Sequence, residues 1–491
     1  MHPFEQHLTE PTGRGTVPPG AHVGSAGGAP CGDLVRVALV IRDGRIADAT
    51  FDAHGCGAAI AAGSACMVLV EGRTVLEAAL VGAAEISDEL GGLSAGKFHA
   101  ADLAADALHR ALAAAAAGDA QLAPPSPGRV LVAMSGGVDS AVAALLAAHG
   151  GQAPLGACGA SPSAEVVAVT LKLWADQEGD GEGSCCSPQA VIGARALAHS
   201  MGLPHLTLDL EDGFRDAVVD PFVAEHEAGR TPNPCVRCNG QVRFDAMLAL
   251  AKRLGADALA TGHYARIEHD AEGPLLARAA DHHKDQTYML SALRPGALAR
   301  VRFPLGGLTK PQVREIAAAA GLPVAEKRDS QDLCFLAGTS RERFLARHGG
   351  GRDRPGEVVD AGGRVLGRHP GHRRYTVGQR RGLGVAAGEP LFVLSTDAAA
   401  NRVVVGPREA LAARTVALRD VTLNRDGQRV DSVKLRYRSE PLPCRVTAAA
   451  GGHTALDVVL GEDALGVAPG QTACLMDGDL VVGHGTIAAS K

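Results

Sequence analysis

The sequence predicts a multidomain protein with an α+β domain, then an α/β domain built on a parallel sheet, then one or two small β domains. Three observations predict this order. The chain has 491 residues, which is too long for a single hydrophobic core and enough for about three domains. Strand and helix patterns alternate in the middle of the chain, as they do in parallel α/β sheets. After about residue 340 the helical patterns stop, and short strands separated by Gly, Asp and Pro turns continue to the end.

Composition places the chain among globular proteins, with 46% hydrophobic and 21% charged residues. No apolar run reaches the ~20 residues that a membrane span needs, and the first residues lack the basic and apolar segments of a secretory signal. We therefore expect a cytoplasmic protein without a membrane partner. In that reducing compartment the 11 cysteines are expected to be thiols, metal ligands or catalysts rather than a disulfide framework.

Charge is unevenly distributed, although the whole chain has a net charge of only −6. Residues 1–120 hold 7 basic and 14 acidic side chains, whereas residues 341–381 hold 11 arginines and 4 acidic side chains. A basic face is therefore available for the phosphate groups of a nucleic acid. A solvated Arg-rich loop would give the same pattern, so charge alone leaves both interpretations open.

Composition and periodicity also set the domain boundaries. The first residues are rich in Gly, Pro and Thr without periodicity, which predicts a flexible tail. The prolines between Ala123 and Gly128 predict a linker, because proline blocks a helix and cannot donate to a sheet. The predicted boundaries are 1–28 for the tail, 29–120 for the α+β domain, 121–128 for the linker and 129–343 for the α/β domain.

Individual elements follow from local patterns. Two β-like runs, Leu34–Ile41 and Ile46–Phe51, flank Asp43-Gly44, which predicts a hairpin. Ala-rich helical patterns follow and end in Leu103–Ala117. The α/β region is predicted to hold strands at Val130–Met134, Val166–Leu173 and Ala256–Ala260 and helices at Ala141–His149 and Pro188–Met201.

A phosphate-binding loop is predicted at Ser135-Gly136-Gly137-Val138-Asp139-Ser140, between a strand and a helix. Glycines there let backbone N–H groups approach an anion, and the N-terminus of the following helix adds partial positive charge. The hydroxyls of Ser135 and Ser140 can donate to phosphate oxygens. The loop lacks the Lys-Ser/Thr ending of a Walker A motif.

Together with Thr261-Gly262-His263-Tyr264, which follows the predicted strand Ala256–Ala260, this loop resembles the PP-loop ATP pyrophosphatases, which have an adenine nucleotide alpha hydrolase-like fold. The resemblance implies an enzyme that splits ATP into AMP and pyrophosphate while it adenylates a substrate oxygen.

Three cysteines are candidates for the chemistry. Cys235 and Cys238 lie three residues apart in a Pro-stiffened turn, and such a pair can be a redox couple, half of a metal site or two incidental thiols. Arg230, Arg237 and Arg243 would favour the thiolates if they lie close in the fold. A third thiol is Cys334. Two thiols that meet across an adenylated substrate permit sulfur transfer, since one can carry sulfur as a persulfide and the other can release it.

From residue 129 to residue 491 the chain resembles one family, the bacterial tRNA-specific 2-thiouridylases. The matching stretches are Met134–Ser140, Pro234–Asn239, Thr261–Tyr264, Lys284–Tyr288, Asp329–Phe335, Tyr375–Gly384 and Lys434–Arg438. The resemblance implies that Cys238 is the nucleophile and Cys334 the persulfide carrier. It implies ATP-dependent replacement of O2 by sulfur on the wobble uridine (position 34) of tRNA, with Mg²⁺ accompanying the triphosphate. The resemblance also implies that the chain after the α/β domain divides into a small β domain, 344–412, and a C-terminal β-barrel, 413–491.

The family's binding positions carry over residue by residue. Those implied to contact ATP are Ala133, Met134, Ser135, Gly136, Gly137, Val138, Asp139, Ser140, Leu171 and Gly262. Those implied to contact tRNA or its target base are Asn233, Pro234, Cys235, His263, Lys284, Asp285, Gln286, Arg436, Tyr437 and Gln471.

Three alternatives stay open. Cys235 stands where some family members have Asp, and with Cys238 and Cys334 it could hold a [4Fe–4S] cluster whose open iron binds the sulfur. Another PP-loop ligase, such as an amidating synthetase, would not need the Cys238 and Cys334 pair. The chain could also be chiefly an iron–sulfur scaffold or carrier.

Residues 29–117 resemble a second family, the NifU/IscU-like iron–sulfur scaffold proteins, through Cys31-Gly32-Asp33, Gly55–Ala61 and Phe98-His99. The resemblance implies that Cys31, Asp33, Cys56 and His99 hold Zn²⁺ or an iron–sulfur cluster. The family's third cysteine would follow His99, where this chain has Ala100. We expect this domain to dock a cysteine desulfurase or another sulfur-relay donor, and a domain that only tethers or stabilises is the alternative.

Overall fold

The computed structural model describes residues 2–27, 32–151, 162–176, 187–329, 333–336, 338–350, 353–385 and 388–490. Cys31, one of the predicted metal ligands, lies outside these residues. The described part of the chain forms four β-sheets, three of which belong to separate domains and one of which joins two domains. None of its helices combines the length and the apolar content needed to cross a membrane.

The N-terminal domain is an antiparallel sheet covered by helices. Asp43 and Gly44 have φ values of 50° and 73°, and the strands on either side of them pair, so the predicted hairpin is confirmed. The elements are α1 (Pro3–Thr9), β1 (His22–Gly27), β2 (Leu34–Arg42), β3 (Arg45–His54), α2 (Gly57–Val70), α3 (Val75–Ala78), α4 (Ala83–Glu89) and α5 (Phe98–Ala117).

The prediction of a flexible tail over residues 1–28 is wrong. Strand β1 pairs antiparallel with β2, and Nδ1 of the buried His7 lies 2.8 Å from Oγ of Ser64. The sequence of β1 is His-Val-Gly-Ser-Ala-Gly, which lacks the large apolar residues of a typical strand. Its small residues are needed for close packing, because a Cβ on Gly24 would lie 2.2 Å from the carbonyl oxygen of Ala107 in α5.

The second domain is a five-stranded sheet in the order β10-β7-β4-β5-β6, with every pair parallel. The predicted parallel α/β fold is confirmed, and the carboxyl ends of its strands lie at one edge, called here the carboxyl edge. The elements are β4 (Val130–Ala133), α6 (Val138–Ala148), β5 (Val166–Lys172), α7 (Pro188–Ser200), β6 (His205–Asp209), α8 (Glu211–Phe214), α9 (Asp220–Glu227), α10 (Pro234–Cys238), α11 (Phe244–Arg253), β7 (Ala258–Thr261), β8 (Arg266–Asp270), β9 (Gly273–Ala277), α12 (Thr287–Leu290), α13 (Pro295–Leu298), β10 (Val301–Arg302) and α14 (Lys310–Ala319).

The N-terminal domain packs directly on this sheet. Helix α5 lies against β6, and one hydrophobic core runs through both domains. Asp106 of α5 accepts a hydrogen bond from Arg195 of α7 at 3.3 Å. Near the other end of α5, Arg253 donates to the carbonyls of Ala115 and Ala116. The N-terminal domain therefore packs against the second domain as an additional layer and is not connected to it only by a linker.

Two β domains follow, as predicted, but a helix, α15 (Arg341–His348), comes first. The small domain has the strand order β12-β11-β14-β13, and the barrel is a ring of six strands closed by the pairing of β15 with β20. The hairpin of β8 and β9 leaves the second domain and joins this barrel sheet through β20. The elements are β11 (Gly356–Asp360), β12 (Val365–His369), β13 (Phe392–Asp397), β14 (Arg402–Gly406), β15 (Ala412–Leu423), β16 (Ser432–Lys434), β17 (Leu442–Arg445), β18 (Gly451–Leu465), β19 (Thr472–Asp477) and β20 (Leu480–Ser490).

Candidate active site

The predicted phosphate loop connects β4 to α6 at the carboxyl edge. Gly136 has φ +68°, a conformation that favours glycine, and Gly137 is the residue before the helix. The hydroxyl of Ser140 accepts from the backbone N–H of Ser135 at 3.1 Å and donates to the carbonyl of Gly137 at 3.0 Å. The loop is thus closed on itself, with the N-terminus of α6 free to face an anion.

Beside the loop lies a cavity of about 230 Å³ that collects residues from β4, β5, β7 and α11. Gly262 lies so close to the loop that a Cβ on it would be 2.8 Å from the backbone nitrogen of Ser140. Of the predicted ATP positions, those that line the cavity are Ala133, Met134, Ser135, Asp139, Ser140, Leu171 and Gly262. His263 and Gln286, predicted as tRNA contacts, line the same cavity.

An ion-pair network lies next to the phosphate loop, and the sequence analysis does not find it. The buried Lys310, at the start of α14, places Nζ 2.7 Å from Oδ1 of Asp139 and 2.8 Å from Oδ1 of Asp329. Tyr264 donates its hydroxyl hydrogen to Asp139 at 2.9 Å, and Lys327 donates to the carbonyl of Gly136 at 2.8 Å. Two ammonium groups therefore converge on the loop. No local signal marks Lys310, which is far from Asp139 in the sequence.

The three candidate thiols lie around one arginine. Arg243 lines the cavity beside the phosphate loop, and its Nη2 lies 3.8 Å from Sγ of Cys334. The same guanidinium favours the thiolate of Cys235 and that of Cys238. Cys334 packs against the apolar cluster that contains Cys238. The structure thus brings together the cavity and all three thiols, and each of the seven described cysteines is a free thiol.

Local structure explains how the thiols are held. Asn233 caps α10 by accepting from the backbone N–H groups of Cys235 and Val236 at 3.1 and 3.3 Å, and Pro234 takes the first helical position. A π-helical segment, Asn239–Arg243, follows Cys238 directly and ends at the arginine. Such segments are frequent at functional sites.

The expectation that three arginines favour thiolates is wrong for two of them. Arg230 is paired with Glu225 at 2.7 Å, and Arg237 donates to the carbonyl of Ala217 at 2.6 Å. Burial outweighs the remaining arginine: it raises the pKa of Cys235 to about 11, with Cys334 adding to the effect, and it also raises the pKa of Cys238. Both groups therefore rest as thiols in this state.

The other predicted tRNA contacts lie in the second domain and in the barrel, where Gln471 contacts the second domain and Arg436 contacts the small β domain. Gln471 donates to the carbonyl of Thr231 at 2.8 Å, and Arg436 donates to the carbonyl of Val377 at 3.2 Å. Asp285 is 4% exposed and accepts from the Thr287 hydroxyl at 2.7 Å, so RNA contact would have to replace an internal hydrogen bond. The partly exposed Lys284 pairs with Asp329 at 2.8 Å, and Tyr437 packs near Tyr288.

One arginine of the basic stretch over residues 341–381 has an internal role. Arg373 is 6% exposed and pairs with Asp353 at 3.0 Å. Its neighbour Arg374 shares Asp353 at 2.6 Å but is partly exposed. The charge of this stretch is therefore not all available at the surface.

A second candidate site lies in the N-terminal domain. Asp33, Cys56 and His99 bring one ligand atom each within 4.8 Å of one another, and they are the only such group of three found in the part of the chain that the structure describes. Asp33 accepts from the backbone N–H of Cys56 at 2.9 Å, and this hydrogen bond is the main cause that lowers the pKa of Asp33. Gly55 permits this approach, since a Cβ there would lie 2.0 Å from Oδ1 of Asp33. Ala100, at the missing third cysteine, is fully buried.

This fold and these sites define a class of protein in which a NifU-like domain precedes a PP-loop domain of the type that uses ATP. Comparison with models of protein families supports this assignment. The NifU-like N terminal domain matches residues 4–118, the tRNA methyl transferase HUP domain 128–338, the tRNA methyl transferase PRC-barrel domain 342–407 and the aminomethyltransferase beta-barrel domain 419–487.

Relatives identify the family. The "Bifunctional protein NifU/MnmA" of Rubrobacter xylanophilus is 46% identical over 98% of this chain and 97% of its own. The "tRNA-specific 2-thiouridylase MnmA" of Geobacter metallireducens is 44% identical over 74% of this chain and 97% of its own. A solved structure of a nitrogen-fixing NifU-like protein (N-terminal) from Brucella abortus is similar over 23% of this chain and 79% of its own, with 26% identity and a TM-score of 0.16. This chain belongs to the family of bifunctional NifU/MnmA proteins.

Proposed function

We propose that this protein replaces the C2 oxygen of the wobble uridine (position 34) of tRNA by sulfur and uses ATP to activate that oxygen. The observation that carries the proposal is the position of Arg243, which lines the nucleotide cavity and reaches Cys334. Nucleotide and thiol chemistry therefore share one site. The printed names of the relatives, which include tRNA-specific 2-thiouridylases, support tRNA as the substrate.

Activation uses the phosphate loop. The N–H groups of residues 136–140, at the N-terminus of α6, bind the phosphates of ATP, and Mg²⁺ accompanies the triphosphate. The uridine O2 attacks the α-phosphorus, pyrophosphate leaves, and the adenylated uridine remains. This step is needed because a carbonyl oxygen is a poor leaving group, whereas AMP is a good one.

Sulfur transfer then uses two thiols. A persulfide on Cys334 attacks C2 through its terminal sulfur, a C–S bond forms, and AMP leaves with the oxygen. The Cys238 thiolate attacks Sγ of Cys334 and breaks the S–S bond, which frees the thiolated base and leaves a Cys238–Cys334 disulfide. A thiol reductant must supply two electrons to reduce this disulfide before the next turnover. The pKa of Cys238 must fall on substrate binding, because burial keeps this thiol protonated in the free protein.

A [4Fe–4S] version of the same reaction is the second candidate. The observation that favours it is the proximity of Cys235 to Cys334, since Cys334 contributes to the raised pKa of Cys235. Three thiols around one site fit a cluster with one open iron, and Cys235, Cys238 and Cys334 would hold it. Such a cluster supplies an iron that binds sulfide. The two versions are distinguished by measuring iron and acid-labile sulfide per chain after anaerobic purification. The cluster version predicts that Cys235→Ala holds less of both than the wild type, and the persulfide version predicts no difference.

The N-terminal domain is proposed to supply sulfur by docking a cysteine desulfurase. Its placement supports this. Helix α7 begins at the carboxyl edge, because it follows β5 and precedes β6. Asp106 lies beside Arg195, and the rings of His109 and His199 are 5.4 Å apart, so α5 runs in the same direction as α7. Its first turn, with His99, therefore points towards the edge that carries the thiols.

Asp33, Cys56 and His99 are also proposed to bind Zn²⁺. A carboxylate, a thiol and an imidazole within 4.8 Å of one another fit three of the four ligands of a tetrahedral zinc site. Cys31 is the predicted fourth ligand.

The proposed function is tested by mass spectrometry of tRNA nucleosides from a strain without the gene, complemented with variants. We expect 2-thiouridine to disappear in the strain without the gene and to stay absent with Cys238→Ser or Cys334→Ser. Cys66→Ala, which alters a fully buried core cysteine in α2, is the control and should restore the nucleoside. Activity that survives Cys334→Ser would instead favour another PP-loop ligase.

A further inference from the structure

A cluster of three histidines lies where the N-terminal domain meets strand β6: His109 and His205 are buried, and His199 is half-buried. His109 of α5 donates from Nε2 to the carbonyl of Val81 at 3.0 Å. The carbonyl of Ala79, in the N-terminal domain, accepts two hydrogen bonds: one from Nε2 of His199 at 3.0 Å and one from the backbone N–H of His205 at 3.1 Å. Burial lowers the pKa of all three histidines, so the contact is made by neutral rings.

His205 continues from this contact towards the nucleotide cavity. Its Nε2 lies 2.8 Å from Oγ1 of Thr170, and Oγ1 of Thr170 lies 2.9 Å from the carbonyl of Met134. A carbonyl can only accept, so the Thr170 hydrogen points to Met134 and Thr170 accepts from His205. Nε2 of His205 therefore carries the hydrogen. Met134 directly precedes the phosphate loop, and Thr170 lines the cavity.

The imidazole of His205 acts here as a hydrogen-bond donor and does not merely fill space in the core. With the hydrogen on Nε2, Nδ1 is a bare acceptor, and it is buried without a partner among the described residues. Leaving such a group unsatisfied is unfavourable, and an apolar ring of similar size would avoid that cost. What an apolar ring would not provide is the hydrogen bond to Thr170.

We propose that the N-terminal domain sets the position of the phosphate loop through this relay, from Ala79 to His205, Thr170 and Met134. His205 and Thr170 are positioning residues: they hold the loop in the form that binds ATP and take no part in the chemistry. The proposal rests on the proposed use of ATP. It gives the N-terminal domain a second role, one that does not depend on its metal site.

The test is equilibrium binding of a fluorescent ATP analogue to the full-length protein. His205→Phe removes the hydrogen bond to Thr170, and Thr170→Val removes both that bond and the one to Met134, each at nearly constant volume. We expect His205→Phe to weaken binding about fivefold, the effect of one lost hydrogen bond, and Thr170→Val to weaken it at least as much. The double variant should bind no worse than Thr170→Val, because both changes break the same relay. His205→Gln retains a donor near Nε2 and should bind within about twofold of the wild type.

Two further variants separate the relay from general damage. His199→Phe removes the other donor to Ala79, and its effect should not add to that of Thr170→Val. His484→Phe alters a histidine in the barrel whose pKa burial also lowers, and it should bind ATP like the wild type. Thermal unfolding of every variant shows whether it is folded.

Several results would overturn the relay. These are wild-type affinity in folded His205→Phe and Thr170→Val, equal losses in His205→Gln and His205→Phe, or full additivity of His199→Phe with Thr170→Val. A wild-type protein that binds no ATP would instead refute the proposed function, so the two failures are distinguishable.

Discussion

At the scale of single residues, Arg243 has the most unusual position, because one guanidinium faces both the nucleotide cavity and the thiols. It opposes the effect of burial on Cys235 and Cys238 without overcoming it. The free protein therefore keeps these thiols protonated and protected from oxidation. This suits an enzyme whose thiols should react only when substrate is present.

Alkylation of Cys235 tests this. Burial raises its pKa to about 11, so the thiolate fraction and the rate of iodoacetamide labelling should rise about tenfold per pH unit between pH 8 and pH 10. Arg243→Gln removes the cation that favours the thiolate, and the profile should move to higher pH. Labelling is followed by peptide mass spectrometry. A plateau reached below pH 9 would contradict the protected state.

Lys310 is the second residue that we single out. Its ammonium bridges Asp139 and Asp329 beside the loop, and we propose that it stabilises charge that develops on the leaving pyrophosphate. Lys310→Met should lower tRNA-dependent release of pyrophosphate by at least about tenfold. Lys310→Arg should retain part of this activity.

The matched control is Lys252→Met, which removes an exposed lysine from α11. This variant should release pyrophosphate at the wild-type rate. If Lys310→Met did the same while remaining folded, Lys310 would have no role in activation.

At the scale of elements, the strand β4, the loop and helix α6 form the unit that the sequence predicted best. Its signals are local: an apolar run, two glycines and a helical pattern follow one another directly. Strand β1 could not be predicted, because its glycines allow close packing against α5 and its sequence lacks the alternation of apolar and polar residues that indicates a strand. Lys310 and the β8–β9 hairpin were missed because their partners lie far along the chain, and no local pattern carries that information.

Gly262 tests how tightly β7 is fitted to the loop. A Cβ there would lie 2.8 Å from the carbonyl carbon of Asp139, so Gly262→Ala must displace backbone. We expect a loss of about 1–3 kcal/mol in the free energy of unfolding, as for an overpacked core, together with weaker ATP binding. Gly296→Ala, in α13, has open space around it and should change neither property. Calorimetry and nucleotide titration measure the two effects.

At the scale of the whole molecule, the two functional regions belong to one packed body. The core is continuous from the N-terminal domain into the parallel sheet, and α5 covers β6. Which family each region belongs to could be predicted from motifs, but this packing could not. Its contacts, such as those of Arg195 with Asp106 and of His199 with Ala79, join residues that lie about 90 or more positions apart, so no local pattern marks them.

Zinc content tests the N-terminal site independently of thiolation. We expect one Zn²⁺ per chain in the wild type and strong loss of the metal in Cys56→Ala and Asp33→Ala, because each removes one ligand of a tetrahedral set. Cys66→Ala should retain the metal. Elemental analysis of purified protein gives the ratio, and equal zinc in wild type and Cys56→Ala would contradict the site.

The hairpin of β8 and β9 belongs to one domain by sequence and to another by hydrogen bonding, since β9 pairs with β20. A truncation that ends the chain before residue 412 would therefore remove β20 from β9 and leave an unpaired strand edge, which favours self-association. Replacing the barrel by one from another protein would leave the same unpaired edge unless the β8–β9 hairpin were replaced together with the barrel. Genetic dissection of this protein should follow the hydrogen-bonded sheets and not the linear order of its segments.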